Sequence, residues 1–307
     1  MKSKENIHAV IVTYNRPQLL MECVAAVQAQ TFPPQNIIVV DNASNQDTRI
    51  CLDGLVKKYP DLFFVARLAQ NTGGAGGFNE GIKLAYSAGA DWVWVMDDDC
   101  IPQPNCLEKL INAKSLMLDH QKEIGFVASR VLWTDGTPCR MNLPFQHPLW
   151  IEPHAIDPRI SRIAGSSFVS MLISRTAIER HGLPVKEFFI WFDDVEYSRR
   201  ISTTLPGYLV TDSIAIHKTP ENIDALDFNL LDEKSLWKFK YGVRNQCSYH
   251  FENGGIIEGM LFVGKVLARL SRARRNWHLR AAIFGACFQG YRFRYRRYIE
   301  HVQSRPT

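Results

Sequence analysis

The chain has 307 residues, 46% hydrophobic and 22% charged, ordinary proportions for a globular protein of one large domain or two smaller ones. Its net charge of +5 is uneven: ten basic residues and one acid lie between Lys265 and Glu300, against 26 basic and 30 acidic residues elsewhere. Seven cysteines, without a C-x-x-C pair, argue against a disulfide framework or zinc ribbon and for a reducing compartment. No stretch approaches the roughly 20 apolar residues of a spanning helix, and the polar start is unlike a signal peptide, so the expected location is the cytoplasm.

Ile7 to Thr13 (IHAVIVT) reads as a buried strand. Pro17 suits the first position of a helix running to about Gln30, with Asn15 as a candidate cap. Arg16, at the end of that strand, is placed to meet a phosphate. Asn36 to Val40 is a second strand, ending in Asp41, a position where a carboxylate accepts from a ribose or base edge. A helix from about Asp47 to Tyr59 and a strand from about Leu62 to Leu68 complete two β-α repeats, the signature of a parallel, doubly wound sheet.

Asn71 to Gly81 (NTGGAGGFNEG) opens a helix to about Ala88. Glycines such as Gly74 let a backbone approach a diphosphate at a helix N-terminus. The stretch is not a dinucleotide fingerprint: Asn79 stands where the third glycine belongs, and it follows the third strand rather than the first. Trp92 to Met96 is aromatic and β-branched, a strand buried on both faces, and it ends in Asp97, Asp98 and Asp99. Three adjacent carboxylates repel one another unless a cation joins them, and oxygen ligands select Mg²⁺, Mn²⁺ or Ca²⁺.

A helix from Pro104 to about Leu118 and a strand from Glu123 to Leu132 follow. Pro138 to Pro158 reads as a long folded-over loop lining an acceptor channel. Gly165 to Ser174 is a small-residue turn feeding a strand. In FFIWFDDVEYSRR, aromatics lead into Asp193 and Asp194 at a helix start; apolar surroundings raise a carboxylate pKa and suit it to general-base work. One of the pair is expected as base and the other as a ligand contact. Tyr208 to Ile216 is a strand delivering His217, a candidate nitrogen ligand beside a carboxylate-bound metal.

Taken in order, VIVTYNRP, VVDNAS, NTGGAGGFNEG, VMDDDC, FFIWFDDVEYSRR, IHK and KYGVRN resemble a GT-A glycosyltransferase of family 2. The triple Asp and the NTGGAGGF segment resemble bacterial galactofuranosyltransferases most, with rhamnosyltransferases using dTDP-rhamnose next. The resemblance implies an α/β, Rossmann-like doubly wound mixed sheet. It implies an inverting, metal-dependent transfer, with UDP-galactofuranose as donor and a glycan or lipid-linked acceptor of cell-surface polysaccharide. By motif, Thr13, Tyr14, Arg16, Asp41, Asn71 and Gly74 would hold the nucleotide and Asp98 the donor sugar or ribose. Asp97, Asp99 and His217 would bind Mn²⁺ or Mg²⁺. Asp194 would be the base, with Asp193 and Trp191 on the acceptor. A non-catalytic nucleotide-sugar-binding module is the alternative from another class.

Residues 1–220 are thus expected to form the catalytic domain and 221–307 a basic helical extension. Leu236 to Phe251 reads as helical. From Ile256, apolar residues (Ile257, Leu261, Phe262, Val266, Leu267, Leu270) recur at near-helical spacing and then mix with arginine and with Trp277, Phe284, Tyr291 and Phe293. Such a stretch suits an anionic membrane surface, placing the protein on the inner face of the plasma membrane. The net acidity of the remainder argues against nucleic acid.

Overall fold

The computed structural model describes residues 5–302; residues 1–4 and 303–307, the extreme ends of the two expected domains, lie outside it. Ile7–Thr13 forms β1, buried along its whole length. Helix α1 spans Pro17–Gln28, with Pro17 in its first turn as expected. Asn15 does not cap it. The Asn15 backbone is left-handed, φ 56°; its N–H donates to Ser44 Oγ at 3.1 Å and its Oδ1 accepts from Asn45 N at 2.7 Å. Asn15 therefore ties the loop after the first strand to the loop after the second.

β2 (Asn36–Asp41), α2 (Gln46–Lys58), β3 (Phe63–Arg67), α3 (Gly73–Ser87) and β4 (Trp92–Asp97) complete the first half. In β4 the side chains alternate: Trp92, Trp94 and Met96 enter one hydrophobic layer and Val93 and Val95 the other. The glycine cluster corrects the sequence reading. Most of it is the helix itself, not a loop ahead of it. A Cβ added at Gly77 would lie 2.4 Å from Val12 Cγ1, and one at Gly81 would lie 2.3 Å from Val10 Cγ1. Helix α3 packs on β1 at a separation that glycine permits.

The second half adds β5 (Cys100–Pro102), α4 (Cys106–His120), β6 (Phe126–Trp133), β7 (Phe145–Gln146), β8 (Ile160–Gly165), β9 (Met171–Ser174), α5 (Arg175–His181), α6 (Asp193–Ser202) and β10 (Gly207–His217). The strand order is β3-β2-β1-β4-β9-β6-β10-β8-β7, with β5 paired to β10. β3, β2, β1 and β4 are parallel, whereas β9 runs antiparallel between β4 and β6, so the sheet is mixed. Helices α1, α2 and α4 cover one face and α3, α5 and α6 the other. Pro138–Pro158 is not a plain loop: it contains β7, paired with β8, and two 3₁₀ turns. Helix α5 had no sequence counterpart; Ser174 caps it by accepting from Ala177 N at 3.1 Å.

Helix α7 (Leu236–Arg272) breaks at Gly255, φ 70°, and α8 (Trp277–Phe293) folds back along it around Val243, Cys247, Val266, Leu270, Leu279, Ile283 and Cys287. The chain then returns to the sheet layers. Glu300 O accepts from Leu183 N at 2.8 Å, and the Glu300 carboxylate pairs with Lys83 at 3.0 Å. No helix among the described residues is long and apolar enough to cross a membrane.

Candidate active site

β1 lies between β2 and β4, all parallel. The chain leaves β1 toward β2 and β3 on one side and reaches β4 on the other, which opens a crevice at the carboxyl ends of the strands. Register sets Thr13 beside Asp41 and Val12 beside Asp97. The nucleotide-site candidates from three separate loops therefore converge without any long-range device.

The triplet is divided by its neighbours. Asp98 is buried; its Oδ2 accepts from Thr13 Oγ1 at 2.7 Å and its Oδ1 from Arg16 at 3.3 Å. Arg16 also bonds Asp99 Oδ2 at 2.8 Å. Burial lifts the Asp98 pKa to about 6, against the opposing pull of Thr13 and Arg16. Asp97 rises to about 7, from burial first and then the Asp99 charge. Thr13 thus spends its O–H orienting Asp98, and its side chain is left only as an acceptor toward a nucleotide.

His217 reaches the triplet through β5. That short strand pairs antiparallel with the end of β10, setting His217 opposite Cys100. His217 Nε2 lies 3.0 Å from Asp99 Oδ1, and Nδ1 lies 2.8 Å from Asn142 Oδ1. A carbonyl oxygen can only accept, so Nδ1 carries the hydrogen and Nε2 is the nitrogen aimed at the carboxylates. Burial opposes charge on His217, but the Asp99 hydrogen bond, the Cys139 contact and the Asp99 and Asp97 charges hold its pKa up at about 10, so a cation binding there would displace the Nε2 proton. Asp97, Asp99 and His217 place one ligand atom each within 4.8 Å of one another. Two carboxylates, an oriented imidazole and a neighbouring amide that fixes its tautomer fit a divalent cation. Asn142 was missed in the sequence. It lies in the Pro- and aromatic-rich segment, where no local pattern marks it.

Asp193 and Asp194 open α6 as its first two residues. The cap position is Phe192, left-handed at φ 76° and without a side-chain cap bond, while Asp194 Oδ1 accepts from Val195 N in the first turn at 2.7 Å. Asp193 is buried and its pKa is pushed well up by burial and by the Asp194 charge. Asp194 is half-buried and raised to about 6, with burial dominant and backbone N–H groups opposing. The Asp194 charge raises Asp97, and His217 lowers Asp194, so the pair faces the same centre as the triplet. At neutral pH, Asp194 is the one poised to accept a proton.

The other expected residues divide. Asp41 is fully buried; its Oδ1 accepts from Ser44 N at 2.8 Å, while its Oδ2 has no hydrogen-bond partner among the described residues and faces Arg49 Nε at 3.9 Å. Tyr14 is 44% exposed at the crevice rim. Asn71 Oδ1 accepts from Gly73 N at 2.8 Å, so its carbonyl is engaged in starting α3. Gly74 sits in the first turn with no atom within 4 Å of an added Cβ, room for a ligand to approach. Trp191, expected on the acceptor, packs its ring against Phe239 at 5.3 Å and over Gly242 of α7.

Mixed sheet, crevice and acidic centre together define a GT-A glycosyltransferase. Residues 8–119 match Glycosyl transferase family 2, and the chain belongs to that family. It is 32% identical over 221 residues to galactofuranosyltransferase GlfT1 of Mycobacterium tuberculosis, covering 69% of this chain and 70% of that one. It is 29% identical over 210 residues to GlfT1 of Mycolicibacterium smegmatis, covering 66% and 67%. Among solved structures it resembles GalNAc-T7 with UDP, GalNAc and Mn²⁺, at TM-score 0.58 and 16% identity over 80% of this chain. This chain spans about half (48%) of that one. Staphylococcus aureus TarS 1–349 superposes at TM-score 0.51 and 16% identity, over 95% of this chain and 91% of that one.

Proposed function

We propose that this glycosyltransferase is an inverting galactofuranosyltransferase that uses UDP-galactofuranose. The observation that carries the reading is the juxtaposition of the Asp97–Asp99–His217 cluster with Asp194. Similarity to two GlfT1 enzymes supports the sugar. The buried Asp41 Oδ2, which lacks a hydrogen bond and has only Arg49 Nε at 3.9 Å, supports a base with an N–H donor at its edge, as uracil has. Tyr14, Asn71 and Gly74 would complete the nucleotide site.

Asp97, Asp99 and His217 would hold the cation, and the imidazole favours Mn²⁺ over Mg²⁺. When bound, that ion offsets the negative charge growing on the departing diphosphate. Arg16 contributes a second positive charge on the same side, and Asp98, held by Thr13, bonds the sugar or ribose. Asp194 takes the proton of the acceptor hydroxyl as it attacks the anomeric carbon from the opposite face, and Asp193 contacts an acceptor hydroxyl.

The acceptor enters along the β7–β8 edge. There Leu143, Pro144, Phe145, Trp150 and Ile163 line a groove of about 490 Å³, which begins one residue beyond Asn142, the partner of His217. The acceptor is a glycan or lipid-linked glycan of cell-surface polysaccharide. The hairpin of α7 and α8 docks on an anionic membrane: Ile256, Ile257, Leu261 and Trp277 are 61–77% exposed, and arginines from Arg269 to Arg280 lie toward and beyond the turn of the hairpin. Val266 and Leu270 instead face the hairpin core, and Phe293 stacks on Tyr298, so they leave the membrane face proposed from sequence. The test is nucleoside diphosphate release, UDP or dTDP according to the donor, with and without Mn²⁺, over a panel of UDP- and dTDP-sugars. Selective, metal-dependent turnover of UDP-galactofuranose is expected; preference for dTDP-rhamnose would overturn the donor assignment, and no turnover of any sugar would leave only a binding module.

A further inference from the structure

We propose that Asn245 is a positioning residue for the transfer reaction, fixing the segment Phe188–Phe192 so that the carboxylates opening α6 meet the acceptor. The inference rests on the reading of Asp193 and Asp194 above.

The segment is strained. Phe189, Trp191 and Phe192 have φ of 65°, 64° and 76°, in a region that side chains with a Cβ avoid. Backbone held this way persists only when its surroundings over-determine it. Alternating left-handed residues also turn successive carbonyls away from any regular ladder, so each needs a separate donor.

Asn245 supplies those donors from α7. It is fully buried. Its Nδ2 bonds Phe188 O at 3.0 Å, Ile190 O at 3.1 Å and Trp191 O at 2.9 Å. The two hydrogens of one planar amide are thus shared among three carbonyls of a five-residue stretch, of which Phe188 O also accepts from Ile190 N at 2.7 Å. The amide is itself oriented: Oδ1 accepts from Arg244 Nε at 3.0 Å and Nη2 at 2.7 Å. Arg244 Nη2 also bonds Glu187 O at 2.6 Å. On the far side, Ala75 N donates to Phe189 O at 3.2 Å, and Gly73 sits where a Cβ would be 1.9 Å from that oxygen. The strained segment is gripped between α3 and α7, and the residue after it is Asp193.

The residue type matters. An aspartate of the same shape would present only acceptors to three carbonyl oxygens, and a serine would reach at most one. Asn245 touches no reacting atom. Its effect passes through the loop to Asp194, where a displacement of about 1 Å is enough to cost ~100-fold in rate. The nucleotide crevice, built by β1, β2 and β4, does not contact it.

The test compares full-length Asn245→Asp and Asn245→Ser with wild type and Asp194→Asn. Three quantities are read: UDP affinity with Mn²⁺ by calorimetry, amide hydrogen exchange over 188–194, and kcat for UDP release from UDP-galactofuranose with an alkyl galactofuranoside acceptor. Both Asn245 variants should bind UDP within about twofold of wild type, exchange faster over 188–194 but not over β1–β4, and lose kcat by ~10- to 100-fold. A kcat per folded molecule within about twofold of wild type, unchanged exchange, or a loss of UDP affinity as large as the loss of kcat would each overturn the role. If the Asn245 variants do not fold, Arg244→Ala replaces them, with a kcat loss of about 3- to 10-fold at unchanged UDP affinity; unchanged kcat there would overturn it. The exchange reading needs no sugar donor, so it stands or falls apart from the proposed activity. If Asp194→Asn keeps turnover while Asn245→Asp loses it, the base assignment fails and the positioning role remains, acting through Asp193.

Discussion

The two sides of the crevice are built in different ways. On the proposed nucleotide side, Thr13, Arg16, Asp41, Asn71 and Asp97–Asp99 all sit at or a few residues beyond strand ends, brought together by parallel pairing of β1, β2, β3 and β4. Each is placed by its own strand. On the base side, Asp193 and Asp194 follow a segment with three left-handed non-glycine residues, held by Asn245 from a helix more than fifty residues later. One side is set by regular secondary structure, and the other borrows its shape from a distant helix. Substitutions at the base should therefore separate turnover from nucleotide binding, and substitutions at the metal cluster should not.

The largest effect expected is at Asp194. A positioned base contributes about 10²- to 10⁴-fold, so Asp194→Asn should lower kcat by at least ~100-fold while UDP affinity, measured by calorimetry, stays near wild type. The base works only when ionised, so wild-type kcat should fall as pH drops through about 6. A bound cation moves that limb lower, because positive charge favours the carboxylate. Asp194→Asn should lack the limb.

Next comes Asn142. It touches neither side's substrate, but its Oδ1 fixes the His217 tautomer. Loss of such an outer partner costs about 10- to 100-fold in metal affinity. Asn142→Ala should raise the Mn²⁺ concentration for half-maximal activity by that range, with kcat restored at saturating metal. A kcat that stays low in excess Mn²⁺ would place Asn142 on the acceptor instead.

The same contrast decided what could be read in the sequence. β1 to β4 showed in apolar runs bounded by polar residues, and their ends carried the charged residues in plain view, because strand termini and function coincide there. The second half resisted. β7 is two residues long, too short for any period, and α5 is seven, its only mark the Ser174 cap. Asn142 and Asn245 act through contacts 75 and over 50 residues away in sequence; nothing local marks Asn142, and Asn245 falls in the KYGVRN segment without any sign of the carbonyls it would hold. The glycine cluster misled for the opposite reason: glycine before a helix and glycine inside one look alike until the partner, here Val10 and Val12, is known.

The hairpin sharpens the contrast further, since α7 joins Asn245 to an exposed apolar face. Replacing Ile256 and Ile257 with Ser removes two side chains that are 71% and 77% exposed and so barely touch the fold. If that face enters a lipid interface, partial burial of each is worth on the order of 1 kcal/mol, and binding to anionic phospholipid vesicles should weaken ~30-fold, with UDP turnover in detergent unchanged. Undiminished co-sedimentation would take the membrane away from this face.

The smallest effect on turnover, and a test of how rigid the nucleotide side is, comes from glycine. Gly81→Ala places a Cβ 2.3 Å from Val10 Cγ1 and 3.0 Å from Val40 Cγ2, within the packing of α3 on the sheet. Overpacking of this kind costs about 1–3 kcal/mol, offset by roughly 1 kcal/mol from the better helix former. Gly54→Ala in α2 makes the same chemical change with no atom within 4 Å, so only the helix gain remains. Thermal melting should fall by a few degrees for Gly81→Ala, at about 2–4 °C per kcal/mol, and rise slightly for Gly54→Ala, with kcat within about twofold of wild type in both. Opposite signs from one substitution would show that contact with β1, not helix propensity, put glycine in α3. A fall in kcat for Gly81→Ala would mean instead that the crevice shifts with α3, and that the nucleotide side is less rigid than its parallel strands imply.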